Sequence, residues 1–457
     1  MKFLCPYCYT EHEIDEILFR CENQYCRKEP DERLEWYESG MKNDEQEFTR
    51  RQNNGSNGDI EDEEMTVMAS EGAGHVFSPQ GSVMEQIKKK GAPCDICGDT
   101  SYWRVCPHCH NRLSEYIYDR HGEKNMIISI IGQPGAGKSV YLGVLLHEIF
   151  DEDAELPGIL GNAKPGYAES VESSRERYMD TFGKLFAQND VRTTLDKTKS
   201  SIQNAKDNGA YRPFICNIKY TDKSKFPSWM PMLGNNETKS FDMFLFDAAG
   251  EDLVSKSSIN VANRYLSHST GIVFLLDPMH LTNFVINLQD EKMVSNAAAG
   301  QSKSELLAKK LTSTMNVIEQ VASRIREEKG LRGTEAIDIP LAVVIPKCDI
   351  IMPFMEGDPA IAQTSPHRQA KGFVLSDSNQ IDYEVKGFLE RYGAKGLISN
   401  LENNFSKVRY FAVSALGKNN NPETNEQGQQ TIAQPSPHRV EDPLLWLWHE
   451  AGVLKGV

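Results

Sequence analysis

A glycine-rich run that begins at Gly132 has the residue types and the spacing of a loop that binds phosphate groups. Its residues are Gly132, Gln133, Pro134, Gly135, Ala136, Gly137, Lys138 and Ser139. An apolar stretch at 126–131 precedes the run, and a helix-forming stretch from Val140 follows it, which is the setting that this pattern requires. Glycines let backbone N–H groups turn toward phosphate oxygens, and the start of a helix adds partial positive charge. The alternative is a turn that binds nothing.

Side chains within and after this run predict nucleoside triphosphate chemistry. Lys138 is expected to reach the β- and γ-phosphates, and the Ser139 hydroxyl is expected to coordinate Mg²⁺. A later apolar stretch ends in Asp247, which opens an Asp-x-x-Gly element with Gly250 and is followed by Glu251. We expect Asp247 to hold Mg²⁺ through water and the Gly250 N–H to sense the γ-phosphate. A strand-terminal turn is the alternative interpretation of this element.

A third element, at Lys347 and Asp349, has the side chains that recognise guanine. The Asp349 carboxylate would accept hydrogen bonds from the N1–H and the exocyclic amine of that base, a pattern that adenine does not present. The aliphatic stem of Lys347 would lie against the ring. Pro346 occupies the position where Asn or Thr is usual, so one side-chain hydrogen bond to the phosphate loop is lost. A further loop, expected to contact the guanine O6 through backbone N–H groups, consists of Ser414, Ala415 and Leu416.

A second protein ligand for Mg²⁺ is expected between the helix after the phosphate loop and the next strand. Thr194 is our choice, Thr193 is an equal candidate, and Thr198 follows. An ordinary helix cap is the competing interpretation of these threonines. The predicted protein ligands of Mg²⁺ are therefore Ser139, Thr194 and Asp247.

Eight of the ten cysteines occur in four closely spaced pairs. Such pairs in a reducing compartment more often hold metal than form disulfides. Four thiolates complete the tetrahedral shell of a structural zinc ion, so the spacing predicts two zinc sites, one in each cysteine-rich segment. The predicted ligands are Cys5, Cys8, Cys21 and Cys26 in the first site, and Cys94, Cys97, Cys106 and Cys109 in the second. His108 and His110 are neighbouring alternatives, and redox cysteines are the competing interpretation.

The net charge of −15 is concentrated near the N-terminus. Residues 1–123 carry 14 Lys and Arg against 25 Asp and Glu, whereas the remainder carries 36 against 40. An acidic surface repels phosphate backbones, which argues against nucleic acid and favours protein partners that dock on the zinc segments. Apolar runs are far shorter than the roughly 20 residues that span a bilayer, and the first residues do not form an apolar signal-peptide region. We therefore predict a cytoplasmic protein without membrane contact.

Composition along the chain predicts four regions. Residues 1–38 form a zinc-ribbon-like unit, 39–88 an acidic polar linker, 89–118 a second zinc ribbon, and 124–457 a nucleotide-binding domain. In the last region, apolar runs of strand length alternate with helical stretches, which is typical of a parallel α/β sheet. Strands are predicted at 126–131, 214–220, 241–246, 271–276, 341–345 and 410–413. Helices are predicted at 139–150, 170–188, 304–329 and 443–454, and insertions at 278–301, 352–383 and 417–438.

These elements, in this order over about 330 residues, resemble the translation-factor (TRAFAC) class of P-loop GTPases. The Asp-x-x-Gly element at the end of the third strand and Lys-x-Asp after the fifth distinguish that class from general P-loop ATPases. More narrowly, Gly-Gln-Pro-Gly-Ala-Gly-Lys-Ser, Asp-Ala-Ala-Gly-Glu-Asp and the large insertions are similar to the bacterial double-GTPase (type 2) family. The resemblance implies a mainly parallel sheet flanked by helices, binding of GTP or GDP with Mg²⁺, and a switch role in multi-protein conflict or anti-phage defence systems.

The resemblance also bears on the rate of hydrolysis. The predicted catalytic residues are Lys138, Asp247 and Glu251. Glu251 occupies a position where small regulatory GTPases often carry a Gln that orients water, so intrinsic turnover is expected to be slow. Two alternatives remain open: a nucleotide-binding scaffold with little catalysis, and, because of Pro346, an ATPase. A nucleotide-dependent oligomer is also compatible with this class.

Overall fold

The computed structural model divides the chain into two compact units, each of which is described by itself. The first comprises residues 1–120 with 201–212, and the second comprises residues 121–200 with 213–457. The residues described are 2–28, 30–38, 74–89, 91–114, 125–133, 135–150, 178–179, 181–186, 193–194, 213–222, 237–247, 264–292, 302–417, 423–424, 430–432 and 435–457.

Short strands and helices build the first unit around its cysteines. Its strands are β1 (Lys2–Leu4), β2 (Glu11–Glu13), β3 (Leu18–Arg20), β4 (Val76–Phe77), β5 (Ala92–Pro93), β6 (Thr100–Ser101) and β7 (Trp103–Val105). Its helices are a 3-10 turn at Ile14–Glu16, α1 (Glu32–Glu38) and α2 (Val83–Lys88). β1 pairs with β2 and β5 with β6, while β3 lies between β4 and β7; all these pairs are antiparallel.

Three of the four cysteine pairs form the same backbone turn. In each, the N–H of the first cysteine donates to the carbonyl oxygen five residues later at 2.9–3.0 Å, and the N–H after the second cysteine donates back to the first at 3.0 Å. The residue after the second cysteine has a positive φ in every case, namely Tyr9 at 57°, Gly98 at 78° and His110 at 54°. Two of these positions carry non-glycine residues, which adopt a positive φ only uncommonly.

The predicted linker at 39–88 is too long at its C-terminal end. Residues 74–88 are folded: β4 pairs with β3, and α2 follows. Phe77 and Ile87 bury their apolar side chains, so this stretch contributes to the core that the polar composition of 39–88 appeared to exclude. Residues 39–73 lie outside the part of the chain that the structure describes.

A six-stranded sheet forms the centre of the second unit, and it confirms the predicted α/β fold class. Its strands are β8 (Met126–Gly132), β10 (Phe214–Asp222), β11 (Glu237–Asp247), β12 (Gly271–Leu275), β13 (Leu341–Ile345) and β14 (Val408–Ala412). The order is β10-β11-β8-β12-β13-β14, and only β10, at one edge, runs antiparallel to its neighbour. β8, β12 and β13 are buried over their whole length, as expected for strands covered on both faces.

Helices and three shorter strands complete this unit. The helices are α3 (Lys138–Phe150), α4 (Thr282–Lys292), α5 (Ser302–Lys329), α6 (Cys348–Ile351), α7 (His367–Ala370), α8 (Leu375–Arg391), α9 (Lys395–Asn404) and α10 (Asp442–Glu450). Turns of 3-10 helix occur at Gly183–Phe186, Pro278–His280, Met352–Phe354 and Ala360–Ala362. A small antiparallel sheet joins β9 (Thr193–Thr194), β15 (Glu423–Thr424) and β16 (Gln430–Ile432).

The predicted strands and three of the predicted helices agree with the structure to within a few residues, apart from β11, which begins earlier. Most of the predicted helix at 170–188 lies outside the described residues, and the described part ends in a 3-10 turn at Gly183–Phe186. The predicted insertion at 352–383 contains ordered helical turns and the first half of α8. Within the described residues, no helix has both the length and the apolar character needed to cross a membrane.

A buried arginine joins the segment after α6 to the C-terminal helix. Arg439 donates through both terminal nitrogens to Asp377, at 2.9 and 3.1 Å, and to Asp442 at 2.8 Å. It also donates to the backbone oxygens of Gln363 and Ala360. The guanidinium is fully buried, and these carboxylates raise its pKa despite the opposing effect of burial. A buried charge is stable only when it is paired in this way.

We predict that Arg439→Met destabilises the second unit strongly. The change would leave two carboxylates buried without their cation, which costs about 3–5 kcal/mol. Urea denaturation followed by circular dichroism would measure the loss, with the exposed Arg332→Met as a matched control that should stay within about 0.5 kcal/mol of the parent. Equal stability of the two variants would contradict this role.

Candidate nucleotide site and cysteine clusters

The predicted phosphate loop connects the end of β8 to the start of α3. Gly132 passes close to β12: a Cβ atom there would lie 2.7 Å from the carbonyl oxygen of Leu275, so no side chain fits without a shift. Gly137 has a φ of 87°, which L-residues rarely adopt. Gly135 and Ala136 lie between these positions, whereas Pro134 is outside the described residues. The glycine pattern therefore reflects local backbone geometry.

The ammonium group of Lys138 lies against the carbonyl oxygens of the loop that precedes it. Its Nζ atom donates to Gly132 at 2.9 Å and to Gln133 at 3.0 Å, and the residue is only 8% exposed. These bonds hold a positive charge at the mouth of the loop. Ser139 and Val140 follow in the first turn of α3.

The end of β11 lies beside the phosphate loop. β11 pairs in parallel with β8, and the register sets Asp247 opposite Ile130, two residues before the loop begins. The two strands thus deliver the aspartate and the loop to the same edge of the sheet. The side-chain contacts of Asp247, and the whole of Gly250 and Glu251, are outside the described residues.

The predicted magnesium ligand Thr194 belongs to β9, where it pairs with Thr431 of β16. Its neighbour Thr193 pairs with Ile432 in the same ladder. Only the backbone of these threonines is described, and Thr198 is outside the described residues. The choice between the threonines therefore stays a prediction.

An ion pair links the predicted base-recognition loop to the neighbouring strand. Lys347, just after β13, donates through Nζ to Asp277 Oδ2 at 2.7 Å. Asp277 follows β12 and also accepts from the N–H of Met279 at 3.0 Å, which caps the turn Pro278–His280. Because the aspartate is 8% exposed and the lysine 36% exposed, the pair is partly shielded from water. The aspartate therefore fixes the direction of the Lys347 side chain.

A second contact fixes the carboxylate of the same loop. Ser414 donates its hydroxyl to Asp349 Oδ1 at 2.6 Å and accepts from the N–H of Gly417 at 3.0 Å. The backbone of Ser414 exchanges two hydrogen bonds with His438, at 2.8 and 3.0 Å. Ala415 and Leu416 lie between these anchors. The structure thus joins the two sequence elements that were predicted to surround a base.

Sequence inspection missed Asp277 and His438. A signal for Asp277 was present, since an Asp-Pro pair directly after an apolar strand is typical of a capped turn. Its partner Lys347 is 70 residues away. The signal for His438 was weak, because it acts through its backbone.

The eight paired cysteines form two clusters, but not in the predicted partition. One cluster, which we call the outer tetrad because its cysteines come first and last in the sequence of the eight, consists of Cys5, Cys8, Cys106 and Cys109. The other, the inner tetrad, consists of Cys21, Cys26, Cys94 and Cys97. Each tetrad takes one pair from each cysteine-rich segment, so the two segments are not independent zinc ribbons. The physical reason is strand pairing: β3 from the first segment pairs with β7 from the second, and this brings the pairs together across the chain.

Distances within both tetrads fit a tetrahedral zinc ion. The Sγ–Sγ distances for Cys5–Cys109 and Cys8–Cys106 are 3.8 and 3.7 Å, and those for Cys21–Cys97 and Cys26–Cys94 are 3.6 and 3.9 Å. A zinc–sulfur bond of about 2.3 Å gives tetrahedral sulfur separations of about 3.8 Å. A disulfide would require about 2.05 Å. The donor set and its spacing are therefore those of structural zinc sites.

The two predicted alternative ligands have other surroundings. His110 bonds through Nδ1 to Asp31 at 2.9 Å. Asp31 also accepts from Arg20 at 2.6 Å and from the N–H of Leu34, which caps α1. Burial opposes ionisation of Asp31, but His110 and Arg20 lower its pKa to about 2. His108 follows Cys106 and donates its N–H to that sulfur. Neither histidine belongs to a tetrad.

Comparison with known proteins gives one distant relative by sequence. No family model matches the chain. A protein of Mycolicibacterium smegmatis that is described as a candidate ESX-1 scaffolding and assembly protein, SaeC, is 23% identical over 363 residues, which cover 77% of this chain and 80% of that protein. An identity of this size does not establish a shared family.

Similar solved structures are GTPases and GTPase-like domains. They include the signal recognition particle receptor SRb-GTP/SRX complex of Chaetomium thermophilum (11% identity, 64% of this chain and 92% of that chain, TM-score 0.24). The small GTPase Arl6 of Trypanosoma brucei is 10% identical, with 72% of this chain and 98% of that chain covered and a TM-score of 0.25. The Ski7 GTPase-like domain of S. cerevisiae is 17% identical, with 73% of this chain and 53% of that chain covered and a TM-score of 0.27. These scores are low, so the fold assignment rests on the sheet order and the loop geometry of this chain.

The partition of the cysteines gives a prediction about cleavage of the chain. If a protease site is inserted into Gly55-Ser56-Asn57-Gly58 of the zinc-loaded protein, the two fragments should stay together, because each ion is held from both sides of the cut. Size-exclusion chromatography after cleavage would test this. Addition of a chelator should then release the N-terminal fragment. Two separate ribbons would instead give fragments that part without chelator.

Proposed function

We propose that this chain is a GTP-binding switch that hydrolyses GTP slowly and joins a multi-protein assembly through its cysteine-rich unit. The observation that carries the nucleotide part is the convergence of strand ends. The phosphate loop, Asp247, the Lys347 element and the Ser414 loop are at the ends of β8, β11, β13 and β14, and β12 lies among these strands in the sheet. Ligands in open α/β sheets bind at the carboxyl ends of the strands, and this convergence supports such a site.

The phosphate end of the proposed site is the loop from Gly132 to Ser139. The Lys138 ammonium, already held above the loop carbonyls, would meet the β- and γ-phosphates there. The Ser139 hydroxyl and the Asp247 carboxylate are oxygen donors of the kind that Mg²⁺ prefers, and Thr194 would add a third. When bound, Mg²⁺ would neutralise charge on the phosphate oxygens. Gly250 would contact the γ-phosphate.

The base end of the site is the pair of anchored side chains at Lys347 and Asp349. Ser414 holds the Asp349 carboxylate in one orientation, which suits acceptance of two parallel N–H bonds from guanine. Asp277 holds Lys347, so its ion pair takes over part of the anchoring that Pro346 cannot supply. This arrangement supports GTP over ATP as the nucleotide.

Slow turnover follows from the residue after the Asp-x-x-Gly element. Glu251 would bring a negative charge toward the γ-phosphate, and like charges repel. A partner that supplies a cation would relieve the repulsion. The proposed catalytic residues are therefore Lys138, Asp247 and Glu251.

Two observations support the assembly role. Each tetrad offers four thiolates, which would fill the coordination shell of a zinc ion and leave no open position for a substrate. Such sites stabilise small interaction modules. The mycobacterial relative is described as a scaffolding and assembly protein. We propose protein partners of this chain in the cytoplasm. A role in bacterial defence rests on the double-GTPase resemblance alone.

The second candidate is a scaffold that binds nucleotide but hydrolyses it hardly at all. Pro346 and Glu251 depart from the usual GTPase pattern, and the relative's description favours a structural task. The third candidate is an ATPase, and only Pro346 supports it. The nucleotide that co-purifies and the rate of phosphate release distinguish these candidates.

The 457-residue chain should bind guanine nucleotides with Mg²⁺. It should release phosphate slowly from GTP, and still more slowly from ATP. Lys138→Ala should lower phosphate release by about a hundredfold or more, because the γ-phosphate loses its main cation. The exposed Lys395→Ala is the matched control and should keep the parent rate. Calorimetry with GTP and ATP that gives no heat on folded protein would refute the nucleotide reading.

The ion pair between Asp277 and Lys347 should matter for guanine binding. Asp277→Asn keeps the cap on Met279 but removes the charge that orients Lys347, so the affinity for GDP should fall by about tenfold. The exposed Asp358→Asn serves as the control, and equal melting temperatures of the two variants would exclude a folding defect. Unchanged GDP affinity in Asp277→Asn would remove this aspartate from base recognition.

A further inference from the structure

The two tetrads differ in what covers them. The pair that contains Cys5 and Cys8 and the pair that contains Cys106 and Cys109 expose few apolar groups, because α1 lies over their tips. The Tyr7 ring packs edge-on against Tyr37 of α1 at 5.8 Å, and Arg33 of the same helix donates to the Pro107 carbonyl. Tyr7 is 8% exposed and Tyr37 is 3% exposed. One helix thus reaches both tips of the outer tetrad.

Near the inner tetrad, in contrast, large apolar side chains are exposed. Ile96 has the same place in its cysteine pair as Tyr7 has in its own, yet Ile96 is 49% exposed. Tyr25, between Cys21 and Cys26, is 88% exposed, and Tyr102 is 55% exposed. We call these three side chains the tip patch. Exposed apolar groups mark an interaction site when they lie close together, and the loops that bear Tyr25 and Ile96 meet at the inner tetrad.

Hydrogen bonds tie together the loops that bear the tip patch. The Tyr102 N–H donates to Glu22 Oε2 at 2.6 Å, and the Asn23 side chain donates to the Asp99 carboxylate. The four sulfurs of the inner tetrad lie within 4.8 Å of one another, so both loops meet at one place. The patch is therefore held on a rigid frame when metal is bound.

The two loops that carry Tyr25 and Ile96 have charges of one sign. The loops 22–25 and 95–99 contain three carboxylates, Glu22, Asp95 and Asp99, and no Lys or Arg. The cations nearest in sequence are Arg20 and Arg104, which are buried, and Arg27 and the run Lys88-Lys89-Lys90, which flank the two loops. Acidic loops repel nucleic acid and attract basic side chains.

We propose that the tip patch docks a basic amphipathic helix of a protein partner. α1 supplies the template, since it covers the outer tetrad with an aromatic ring and an arginine one turn apart, Tyr37 and Arg33. A partner helix with an aromatic residue and Arg or Lys at that spacing would fill the equivalent place on the inner tetrad. This inference rests on the proposed docking role of the cysteine-rich unit and is independent of GTP hydrolysis.

The test uses the zinc-loaded full-length protein and two fluorescent peptides of about 18 residues, long enough to form a helix. One peptide combines Leu, Ala and Lys with one Arg and one Tyr four residues apart, and the other replaces every Lys and Arg by Glu. Fluorescence anisotropy should show saturable binding of the basic peptide only. The triple variant Tyr25→Ser, Ile96→Ser, Tyr102→Ser should weaken binding by about tenfold or more.

A matched triple variant on the second unit, Ile286→Ser, Leu375→Ser, Tyr383→Ser, removes other exposed apolar groups and should leave the peptide affinity unchanged. Retention of two zinc ions per chain in the patch variant shows that its fold is intact. The Lys138→Ala protein should bind the peptide normally, so failure of the nucleotide proposal would leave this result standing.

Four outcomes would overturn the proposal. Equal peptide binding by the parent and the patch variant would remove the tip patch from the interaction. Binding of the acidic peptide as tightly as the basic one would remove the charge argument. Displacement of the peptide by a single-stranded oligonucleotide, or a dimer in sedimentation that only the patch variant loses, would assign the surface to nucleic acid or to a second copy of this chain.

Discussion

Parallel pairing of β8, β12, β13 and β14 is the constraint on which the nucleotide site depends. Strands that run in the same direction end at the same edge, so their following loops meet regardless of their distance in sequence. The close approach of Gly132 to Leu275 shows how tightly the first two of these strands lie at that edge. A slip of one residue in the pairing of any two of these strands would turn every side chain of the shifted strand to the opposite face and separate the residues of the site.

Much of the second unit could be read from its sequence because buried parallel strands appear as unbroken apolar runs. Leu341–Ile345, for example, is wholly apolar, and its bounds agree with the prediction. α8 was missed although Ile381, Val385, Phe388 and Leu389 recur at helical spacing and are buried, because the surrounding polar residues suggested an insertion. The contact between Asp277 and Lys347 could not be predicted, since it exists only once β12 and β13 are neighbours.

The cysteines illustrate a different limit. Short spacing shows which two sulfurs belong to one pair, but four pairs can combine into two tetrads in three ways, and spacing alone favours the pairs that are nearest in sequence. The observed combination depends on β3, which pairs with β4 and β7 from far along the chain. Capping of α1 by Asp31, held by Arg20 and His110, is a second long-range link of the same kind. Tertiary pairing, rather than spacing, therefore determines the partition.

The nested arrangement of the tetrads has a consequence for how freely the chain can vary. Residues 39–73 begin and end on a core whose inner tetrad joins Cys26 to Cys94. The entropy of closing such a loop depends only on the logarithm of its length, and a doubling costs roughly 0.6 kcal/mol. Related chains could therefore lengthen, shorten or change the charge of this stretch during evolution while keeping both clusters.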